Sequence, residues 1–331
     1  MSTPTLRPLR GTAVAASALL ALTACAVQGV DGGEGGFPSG PIEMTTPTTA
    51  GGSGDLITRA LAQDLEEPLG TTVNVVNRAG ANGKIAAQEV FARDPDGQSL
   101  AVMMQSLFAI TPLAVDDPDA VDLDDMTLIR GIALEGYVLV VPEDSEYESL
   151  DDLLESDRVT YGTAGAGTGG QLAQAALFGL AGTEAEDVPF DGGAPAVTAV
   201  LGGKVDVAAA HAAEVVSQVE AGELRPLAVF NEERMEAFPD VPTAAEQGYD
   251  VVVDQRRFVA APAGLPDDVN TAIGEAVDEA VASEEFGGVL EQNHIEPWEA
   301  DGEQVRTQLE ESRERYASMA EDLGLELSAE S

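Results

Sequence analysis

The sequence predicts an α/β protein of two similar lobes, each a mostly parallel sheet flanked by helices, with a ligand cleft between the lobes. Short apolar runs with strand periodicity alternate with segments in which apolar residues recur at helical spacing. Gly-rich loops join a strand to a helix at two places, residues 50–54 and 163–170. Hydrophobic residues make up 44% of the chain and aromatic residues only 5%, which suits cores of Ala, Val and Leu. Such strand–loop–helix alternation is typical of α/β domains.

Residues 1–24 are predicted to be a signal peptide. Arg7 and Arg10 give a positive start, and the apolar run over residues 12–22 is too short to span a bilayer comfortably. The run ends in Leu22-Thr23-Ala24-Cys25, which resembles the lipobox of bacterial lipoproteins. On this interpretation a peptidase cleaves before Cys25, and the Cys25 thiol then carries a diacylglycerol anchor. An ordinary secretory peptide with an incidental cysteine is the alternative.

Residues 25–40 are predicted to be a lipidated, flexible tether because they are rich in Gly. Cys25 is the only cysteine in the chain, which excludes an internal disulfide and a cysteine metal cluster. No second long apolar segment follows the signal peptide. We therefore expect an extracytoplasmic protein that the lipid holds on the outer face of the cell membrane.

The first lobe is predicted from two strand–helix cycles. Apolar positions at helical spacing follow the first Gly-rich loop, from Leu56 to Leu65, and the turn Asp94-Pro95-Asp96-Gly97 ends the second helix. In chain order, the predicted elements are a strand at 41–46, a helix from 56, a strand at 72–77, a helix at 85–93 and a strand at 100–104.

The second lobe is predicted to begin where the chain crosses near Val141 and to end where it returns near Ala260. Lobe 1 then comprises residues 41–141 and 260–331, and lobe 2 residues 142–259. The predicted strands are 137–141, 159–162, 188–190, 205–209, 227–230 and 257–261. The predicted helices are 150–154, 171–180, 194–201, 214–221, 268–282 and 302–323.

The chain is strongly acidic, with 59 acidic against 16 basic residues and a net charge of −43. Nucleic acids and anionic lipid surfaces would be repelled by such a protein. The acidic residues are spread along the sequence, which favours a solvated surface suited to salty surroundings over a dedicated cation site. An anionic ligand would then have to be attracted by local dipoles and a few cations inside a cleft.

The two Gly-rich loops are candidate anion sites. Free N–H groups and the positive end of a helix dipole meet at such junctions, and Ser53, Thr163 and Thr168 add hydroxyl donors. Neither loop ends in the Gly-Lys-Ser/Thr of a Walker loop, and the Gly-x-Gly-x-x-Gly string at 165–170 is weak support for a dinucleotide. A structural turn can explain either loop alone. One loop in each lobe favours a shared anionic ligand without a cofactor.

Catalytic constellations are missing from the sequence. His211 and His294 are the only histidines and have no metal-ligand spacing, so we expect neither a metal site nor an enzyme. Asp55 is interpreted as a cap or dipole partner at a helix start. Asp206, a charge in an apolar strand, is either a cleft group or an exposed strand end.

Arg256 and Arg257 form the only adjacent basic pair after the signal peptide. The pair lies just before the last predicted strand, where the chain returns between the lobes. Arg257 is therefore predicted either to be the local cation at the cleft or to form a salt bridge with a nearby acid such as Asp254.

A series of segments along nearly the whole mature chain carries a family resemblance. They are Pro41-Ile42, Pro47, Gly51–Asp55, Val75–Gly83, Asp94–Gly97, Tyr161–Gly167, Leu201–Asp206, Ala221–Val229, Phe238–Thr243 and Ala261–Gly264. In this order they resemble the receptor family of tripartite tricarboxylate transporters. The resemblance implies a two-lobed periplasmic-binding-protein fold that closes on a carboxylate.

The resemblance also implies the site. One carboxyl group of the ligand would bind the loop from Thr48 to Ser53 and the loop from Thr163 to Thr168. The other end of the ligand would be read by Ser106, Ala210-His211 and Arg257. The sequence departs from the family pattern at Thr48-Thr49-Ala50, where Phe and Pro are usual, and at Arg256, where an aromatic residue is common. The complete set of predicted ligand-binding residues is Thr48, Thr49, Gly51, Gly52, Ser53, Asp55, Ser106, Thr163, Ala164, Gly167, Thr168, Asp206, His211 and Arg257.

The predicted function is that of a monomeric receptor. It would capture a di- or tricarboxylate, or a related organic acid, and deliver it to the permease subunits of an ion-driven membrane transporter. A lipoprotein that senses the ligand for a membrane kinase is an alternative. A surface hydrolase is the third alternative, and the missing nucleophile–base pair argues against it.

Overall fold

The computed structural model describes residues 36–325 and residue 327. The predicted signal peptide and the predicted lipid anchor on Cys25 concern residues outside this range. The described chain contains ten β-strands and eleven α-helices. The strands are β1 (Ile42–Thr46), β2 (Val73–Asn77), β3 (Ser99–Met104), β4 (Met126–Pro142), β5 (Val159–Thr163), β6 (Ala185–Pro189), β7 (Val207–His211), β8 (Leu224–Val229), β9 (Asp254–Pro262) and β10 (Glu296–Asp301). The helices are α1 (Ser53–Leu69), α2 (Lys84–Phe91), α3 (Gln105–Ala109), α4 (Thr111–Ala114), α5 (Leu150–Leu154), α6 (Gly169–Ala181), α7 (Gly193–Leu201), α8 (Ala212–Glu220), α9 (Asp267–Val281), α10 (Glu284–Gln292) and α11 (Gly302–Leu323).

The strands form one continuous path through both lobes, in the order β2-β1-β3-β9-β4-β7-β5-β6. The first part of β4 pairs with β9 and β10, and its last residues pair with β7 and β8. The α/β class is therefore confirmed. The prediction of mostly parallel sheets is wrong, because β1–β3 and β5–β7 contain the parallel pairs while β4 and β9 run antiparallel to their neighbours. The chain enters lobe 2 along β4 and returns along β9, which forces these two strands to run in opposite directions.

The crossings between the lobes lie earlier in the chain than the sequence predicts. Gly136 pairs with Asp254 in the lobe 1 sheet, and the next residue, Tyr137, pairs with His211 in the lobe 2 sheet. The predicted boundaries at Val141 and Ala260 are therefore several residues late. The reason is that β4 is a single strand of 17 residues that runs through both sheets, so no turn or loop in the sequence marks the change of sheet.

The last helix also departs from the predicted division. Tyr316 of α11 is fully buried in the core of lobe 2, against residues such as Leu177 and Phe230. Because α11 starts beside the lobe 1 sheet and ends in the lobe 2 core, the segment from residue 260 onward does not belong to lobe 1 alone.

Helix α1 shows how the local sequence determines an element next to the cleft. Ile57, Leu61, Leu65 and Leu69 recur at four-residue spacing and are all buried. These positions lie on one face of an α-helix, which packs here against α9 and α10 over the lobe 1 sheet. The helix ends at Gly70, whose left-handed φ of 63° closes the last turn.

Four elements were not predicted, namely the short helices α3 and α4, the helix α10 and the strand β10. The strand has the sequence Glu-Pro-Trp-Glu-Ala-Asp, which lacks the apolar alternation of a buried strand. It pairs only with β4, and an edge position tolerates both its proline and its acidic residues. No helix in the described part of the chain is long and apolar enough to cross a membrane.

Candidate functional site

A cavity of about 950 Å³ lies between the lobes, at the edge of the sheets where the parallel strands end. The starts of five helices border it, in the segments after β1, β2, β5, β6 and β7. In open α/β sheets, ligands bind in the crevice beyond the carboxyl ends of the strands, and the cavity has this position here. The lining comes from residues 47–53, 79–84, 164–170, 189–193 and 209–214, with further side chains from the sheet and from α4.

Four of these five helices begin without a side-chain cap. The N-cap residues of α1, α2, α6 and α7 are Gly52, Gly83, Thr168 and Gly192, and none of their side chains accepts a hydrogen bond from the first turn. By contrast, side chains cap α5, α10 and α11, which start elsewhere. The first N–H groups of an uncapped helix have no intrahelical acceptor. The cavity therefore receives several unused donors and several positive helix ends.

Asp55 holds the first loop in shape. Its carboxylate accepts hydrogen bonds from the Gly51 N–H (2.9 Å), the Asn77 side-chain amide (2.8 Å) and the Arg59 guanidinium (3.0 Å). Burial raises the pKa of the Asp55 carboxyl, but the hydrogen bonds from Arg59, Gly51 and Asn77 outweigh burial and hold the pKa below its ordinary value. The Asp55 carboxylate lies outside the cavity lining, so its part in the site is to position the loop.

Arg257 lies in the cavity wall and is paired with Glu135. The Arg257 Nε donates to Glu135 Oε2 over 2.6 Å, and its Nη2 donates to the Ser53 Oγ over 3.3 Å. The side chains of Arg257 and Glu135 are only 3% and 2% exposed. Arg257 Nη1 is buried and has no hydrogen-bond partner among the described residues. An unpaired buried donor costs about 1–3 kcal/mol, which a ligand oxygen could recover.

The glycine at position 54 makes this arrangement possible. A Cβ there would lie 2.8 Å from the Thr48 methyl group and 3.0 Å from Arg257 Nη1. Glycine therefore allows the guanidinium to approach the start of α1. Burial raises the pKa of the Glu135 carboxyl, but the charges of Arg257 and His211 and the hydrogen bonds from Ser53 and Arg257 together outweigh burial and hold that pKa below its ordinary value.

The second loop is held by side chains that point away from the cavity. Thr163 is fully buried, and its Oγ1 donates to Asp187 over 2.8 Å. Gln171 accepts from the Gly167 N–H over 2.8 Å and donates to the other Asp187 oxygen over 2.6 Å. The Thr168 hydroxyl donates back to the Gly165 carbonyl over 2.8 Å. Ala164, Gly165, Ala166 and Thr168 line the cavity.

Asn82 joins the two lobes at the cavity wall. Its amide nitrogen, which has two N–H donors, lies within hydrogen-bonding distance of the Gly167 carbonyl (2.8 Å), the Thr111 hydroxyl (2.9 Å) and the Ser106 hydroxyl (3.1 Å). Asn82 has a left-handed φ of 47°, which asparagine tolerates better than most residues. The buried Ser106 hydroxyl also accepts from Gln255 over 2.9 Å, so Ser106 orients two lining residues from behind.

The lobe 2 wall carries His211, Tyr137 and Glu214. The rings of Tyr137 and His211 are stacked with centroids 4.3 Å apart. Glu214 Oε2 accepts from the His211 backbone N–H over 3.2 Å, and all three residues line the cavity. Burial raises the pKa of the Glu214 carboxyl, against a smaller opposing effect of His211.

Comparison with known proteins identifies the family. A sequence model of the tripartite tricarboxylate transporter family receptor matches residues 57–325. The chain belongs to this family. Similar proteins include Protein BugT of Bordetella pertussis, which is 30% identical over 303 residues that cover 88% of this chain and 91% of BugT. The solved structure of the periplasmic binding protein BugD superposes with a TM-score of 0.81, at 26% identity over 88% of this chain and 100% of BugD. A protein of R. palustris solved with adipate gives a TM-score of 0.82, at 26% identity over 87% of this chain and 99% of that protein.

The cavity of this receptor brings together part of the predicted site. Eight predicted residues line it, and they are Thr48, Thr49, Gly52, Ser53, Ala164, Thr168, His211 and Arg257. Gly51, Asp55, Ser106, Thr163 and Gly167 lie in the same loops or directly behind the wall, where they hold lining residues in place.

Asp206 is far from this group. It precedes β7, whereas the cavity lies beyond the other end of that strand, at His211. Its carboxylate accepts from both the N–H and the hydroxyl of Thr160, each over 2.7 Å, and so joins β7 to β5. The prediction of Asp206 as a cleft group is wrong. A carboxylate beside an apolar strand can instead accept hydrogen bonds from the neighbouring strand, as Asp206 does from Thr160. Arg257 forms the salt bridge that was one of its two predicted roles, but its partner is Glu135, and Asp254 pairs with Arg256 over 2.7 Å.

Sequence reasoning missed Asn82, Glu135, Tyr137 and Glu214. For two of them, Asn82 and Glu135, the sequence contains a feature that could have identified them. Asn82 lies in a third Gly-containing turn between a strand and a helix, and Glu135 is a lone acid in a long apolar run. Glu214 had no such signal, because an acid in the first turn of a helix is ordinary.

Proposed function

We propose that this receptor binds a small organic carboxylate in the cavity between its lobes and delivers it to the permease subunits of an ion-driven membrane transporter. The observation that carries the proposal is Arg257, a buried cation of the cavity wall whose Nη1 has no hydrogen-bond partner among the described residues. A carboxylate oxygen is the acceptor that a guanidinium donor binds most strongly. The adipate found with a similar receptor of known structure supports the same class of ligand.

The remaining donors suit a carboxylate at the same place. Ser53 and Thr48 belong to the loop before α1, beside Arg257, and the uncapped start of α1 adds N–H groups there. The uncapped start of α6 approaches from lobe 2. A ligand bound by both helix starts would hold the lobes together, which is how a two-lobed receptor can signal occupancy to a membrane partner.

The lining supports binding without chemistry. His211 is the histidine in the lining, and the groups nearest its ring are the Gly136 carbonyl, 3.4 Å from Nδ1, and the Tyr137 ring. A nucleophilic mechanism requires a hydroxyl or thiol within hydrogen-bonding reach of a base. Among the described residues, the His211 ring has a hydrogen-bond contact to the Gly136 carbonyl and none to a hydroxyl or thiol, and we propose that the protein is not a hydrolase.

We also propose that the protein is extracytoplasmic and anchored through a lipid on Cys25. The lipobox-like sequence before Cys25 and the Gly-rich tether after it support this placement. A tether of this composition would let the receptor reach a permease in the same membrane.

The test of carboxylate binding combines a screen with a matched pair of ligands. Thermal shift of the mature protein against short organic acids should find a stabilising acid, because a ligand at 100 times its Kd adds about 2.7 kcal/mol of stability. Calorimetry of that acid and its amide should show loss of binding by the amide, which carries no charge for the guanidinium donor to bind. Equal affinity of acid and amide would refute the proposal.

The matched variants are Ser53→Ala and Ser318→Ala. Ser53→Ala should weaken binding by about 1–3 kcal/mol, because a hydroxyl beside the ligand is removed. Ser318 is exposed on α11 and makes only a 3.4 Å bond to Asp322, so its substitution should leave affinity unchanged.

A further inference from the structure

The charged residues that line the cavity are unevenly paired. Lys84 forms a salt bridge with Asp117, and Arg257 forms one with Glu135, so both cations of the described lining already have an acidic partner. Two lining carboxylates, Glu214 and Asp191, have no salt bridge to any described residue. The cavity lining therefore has more negative than positive charge, although the cavity is suited to bind a carboxylate.

Glu214 accounts for most of this excess inside the cavity. It is half-buried, lines the cavity, and lies against the start of α7, where a Cβ on Gly193 would be 2.2 Å from Glu214 Oε2. Glycine at position 193 leaves the space that this carboxylate occupies. Glu214 occupies the helix start that a second ligand carboxylate would otherwise use.

The Glu135–Arg257 pair does not offset Glu214. Glu135 Oε1 is buried without a hydrogen-bond partner among the described residues, so this pair holds an unused acceptor as well as the unused donor Nη1. The carboxylates of the buried Glu135 and the half-buried Glu214 thus face a single guanidinium, that of Arg257. A ligand that carries only negative charge would leave this imbalance in place and add to it.

We propose that the ligand carries a protonated amino group in addition to its carboxylate, and that Glu214 binds the amino group. The inference rests on the proposed function, because Arg257 and the start of α1 place the carboxylate on the opposite wall of the same cavity. An ammonium group beside Glu214 supplies the missing positive charge and forms charge-assisted hydrogen bonds. The ligand class is then a short amino acid with an acidic or polar side chain.

The pH dependence of binding distinguishes the two ligand classes by its sign. Burial raises the pKa of Glu214, and the groups that face it are His211, Glu135, Arg257, Tyr137 and, at the rim, Asp191. A bound ammonium group favours the ionised carboxylate, so amino acid binding should strengthen as pH rises through the pKa of Glu214 and should release protons. A dicarboxylate favours protonated Glu214, so its binding should weaken as pH rises and should take up protons.

The experiment compares matched pairs of probes that differ only in the amino group. They are succinate and aspartate, glutarate and glutamate, and adipate and 2-aminoadipate, titrated calorimetrically into the mature protein at pH 6.5 and pH 8, where both carboxyl groups of each probe are ionised, in buffers of different ionisation enthalpy. In at least one pair the amino compound should bind about tenfold or more tightly, a difference of about 1.4 kcal/mol. That compound should release protons on binding.

The variants are Glu214→Gln, with Glu66→Gln as the control. Glu214→Gln should weaken binding of the amino compound tenfold or more and should strengthen binding of the plain dicarboxylate. Glu66 also accepts a bond from one backbone N–H, that of Val73 at 3.1 Å, but lies on the far part of α1, so Glu66→Gln should change neither affinity. Glu214→Asp keeps the charge, and it should retain the preference for the amino compound if Glu214→Gln fails to fold.

The outcomes separate this inference from the proposed function. Dicarboxylates that bind as tightly as their amino analogues, or an amino compound that Glu214→Gln binds as well as the wild type does, would overturn the inference and leave carboxylate binding intact. Failure of every acid in the panel to bind would overturn both.

Discussion

At the scale of single residues, Arg257 combines two roles that usually exclude each other. Its Nε neutralises the buried Glu135, while Nη1 keeps a donor unused in the cavity wall. A planar guanidinium can do both because its N–H groups point in fixed, different directions. A lysine ammonium carries the same charge but cannot present separate donors along those directions.

This difference leads to a prediction for Arg257→Lys. The variant should retain a partner for Glu135 and most of the stability, but it should lose about 2–5 kcal/mol of ligand affinity, mainly through a faster off-rate. Calorimetric titration and stopped-flow dissociation measure the loss. Arg306→Lys is the control, because Arg306 is paired with Asp124 on the exposed side of α11. Affinity within about threefold of the wild type would remove Arg257 from the site.

Arg257→Met gives the stability side of the same prediction. It leaves Glu135 buried without its cation, which should cost about 3–5 kcal/mol of unfolding free energy. The pKa of Glu135 is held below its ordinary value in the folded protein. The contribution of the pair is therefore complete above the pKa of an unfolded Glu and is lost as pH falls through the folded pKa. Urea unfolding should show that wild type and Arg257→Met converge as the pH is lowered through that window.

At the scale of the elements, the bounds of a helix or strand are predicted best where the sequence pattern that defines it lies within the element itself. The helix α11 was predicted with its observed bounds, and α1, α6 and α9 within a few residues, because each has a long amphipathic repeat or a clear end signal. The strands β4 and β9 were predicted too short. Their missing parts, such as Glu135-Gly136, interrupt the apolar pattern and make sense only beside partner strands distant in sequence.

The residues of the site were likewise predicted where the signal is local in the sequence. The two loops before α1 and α6 were predicted because glycines mark a strand-to-helix junction. The contacts among Asn82, Gly167 and Thr111 could not be predicted, since they join segments far apart in the chain. Gly167 shows the reason for its glycine only in three dimensions, where a Cβ would lie 2.6 Å from the Thr111 Cα.

The contact between the loops yields a prediction for Asn82→Asp. The substitution keeps the size and the tolerance of a left-handed φ, but it replaces the amide donor with an acceptor that faces the Gly167 carbonyl. The lobes should then close less readily, and ligand affinity should fall by about 1–3 kcal/mol. Calorimetry measures the affinity, and small-angle X-ray scattering should show a larger radius of gyration.

The control for this prediction is Asn293→Asp. The Asn293 amide donates to the Val289 carbonyl over 2.8 Å at the end of α10, away from the cavity. Its loss should change stability slightly and leave affinity and radius unchanged. An equal loss of affinity in both variants would show that the Asn82 contact has no specific part in closure.

At the scale of the whole molecule, the surface and the cleft have different electrostatic tasks. A net charge of −43 repels an approaching carboxylate at long range. Inside the cavity, the uncapped starts of α1, α2, α6 and α7 oppose that field over short distances. Salt screens exposed charges beyond about 8 Å at physiological ionic strength but affects buried dipoles much less, so a saline medium would favour the approach of the ligand without weakening the site.

A receptor that serves a permease must also stay close to the membrane, and its charge cannot hold it there, because anionic lipid surfaces repel it. A covalent anchor on Cys25 would supply the attachment that electrostatics oppose. Cys25→Ser should therefore move the protein from the membrane fraction to the soluble extracytoplasmic fraction while ligand affinity stays unchanged. Fractionation and immunoblotting measure the distribution, with Ser39→Ala as the control, because Ser39 lies beyond the anchor and is already bonded to Gln98 of the folded protein. A Cys25→Ser protein that is processed and still sediments with the membrane would show that something other than the lipid holds it.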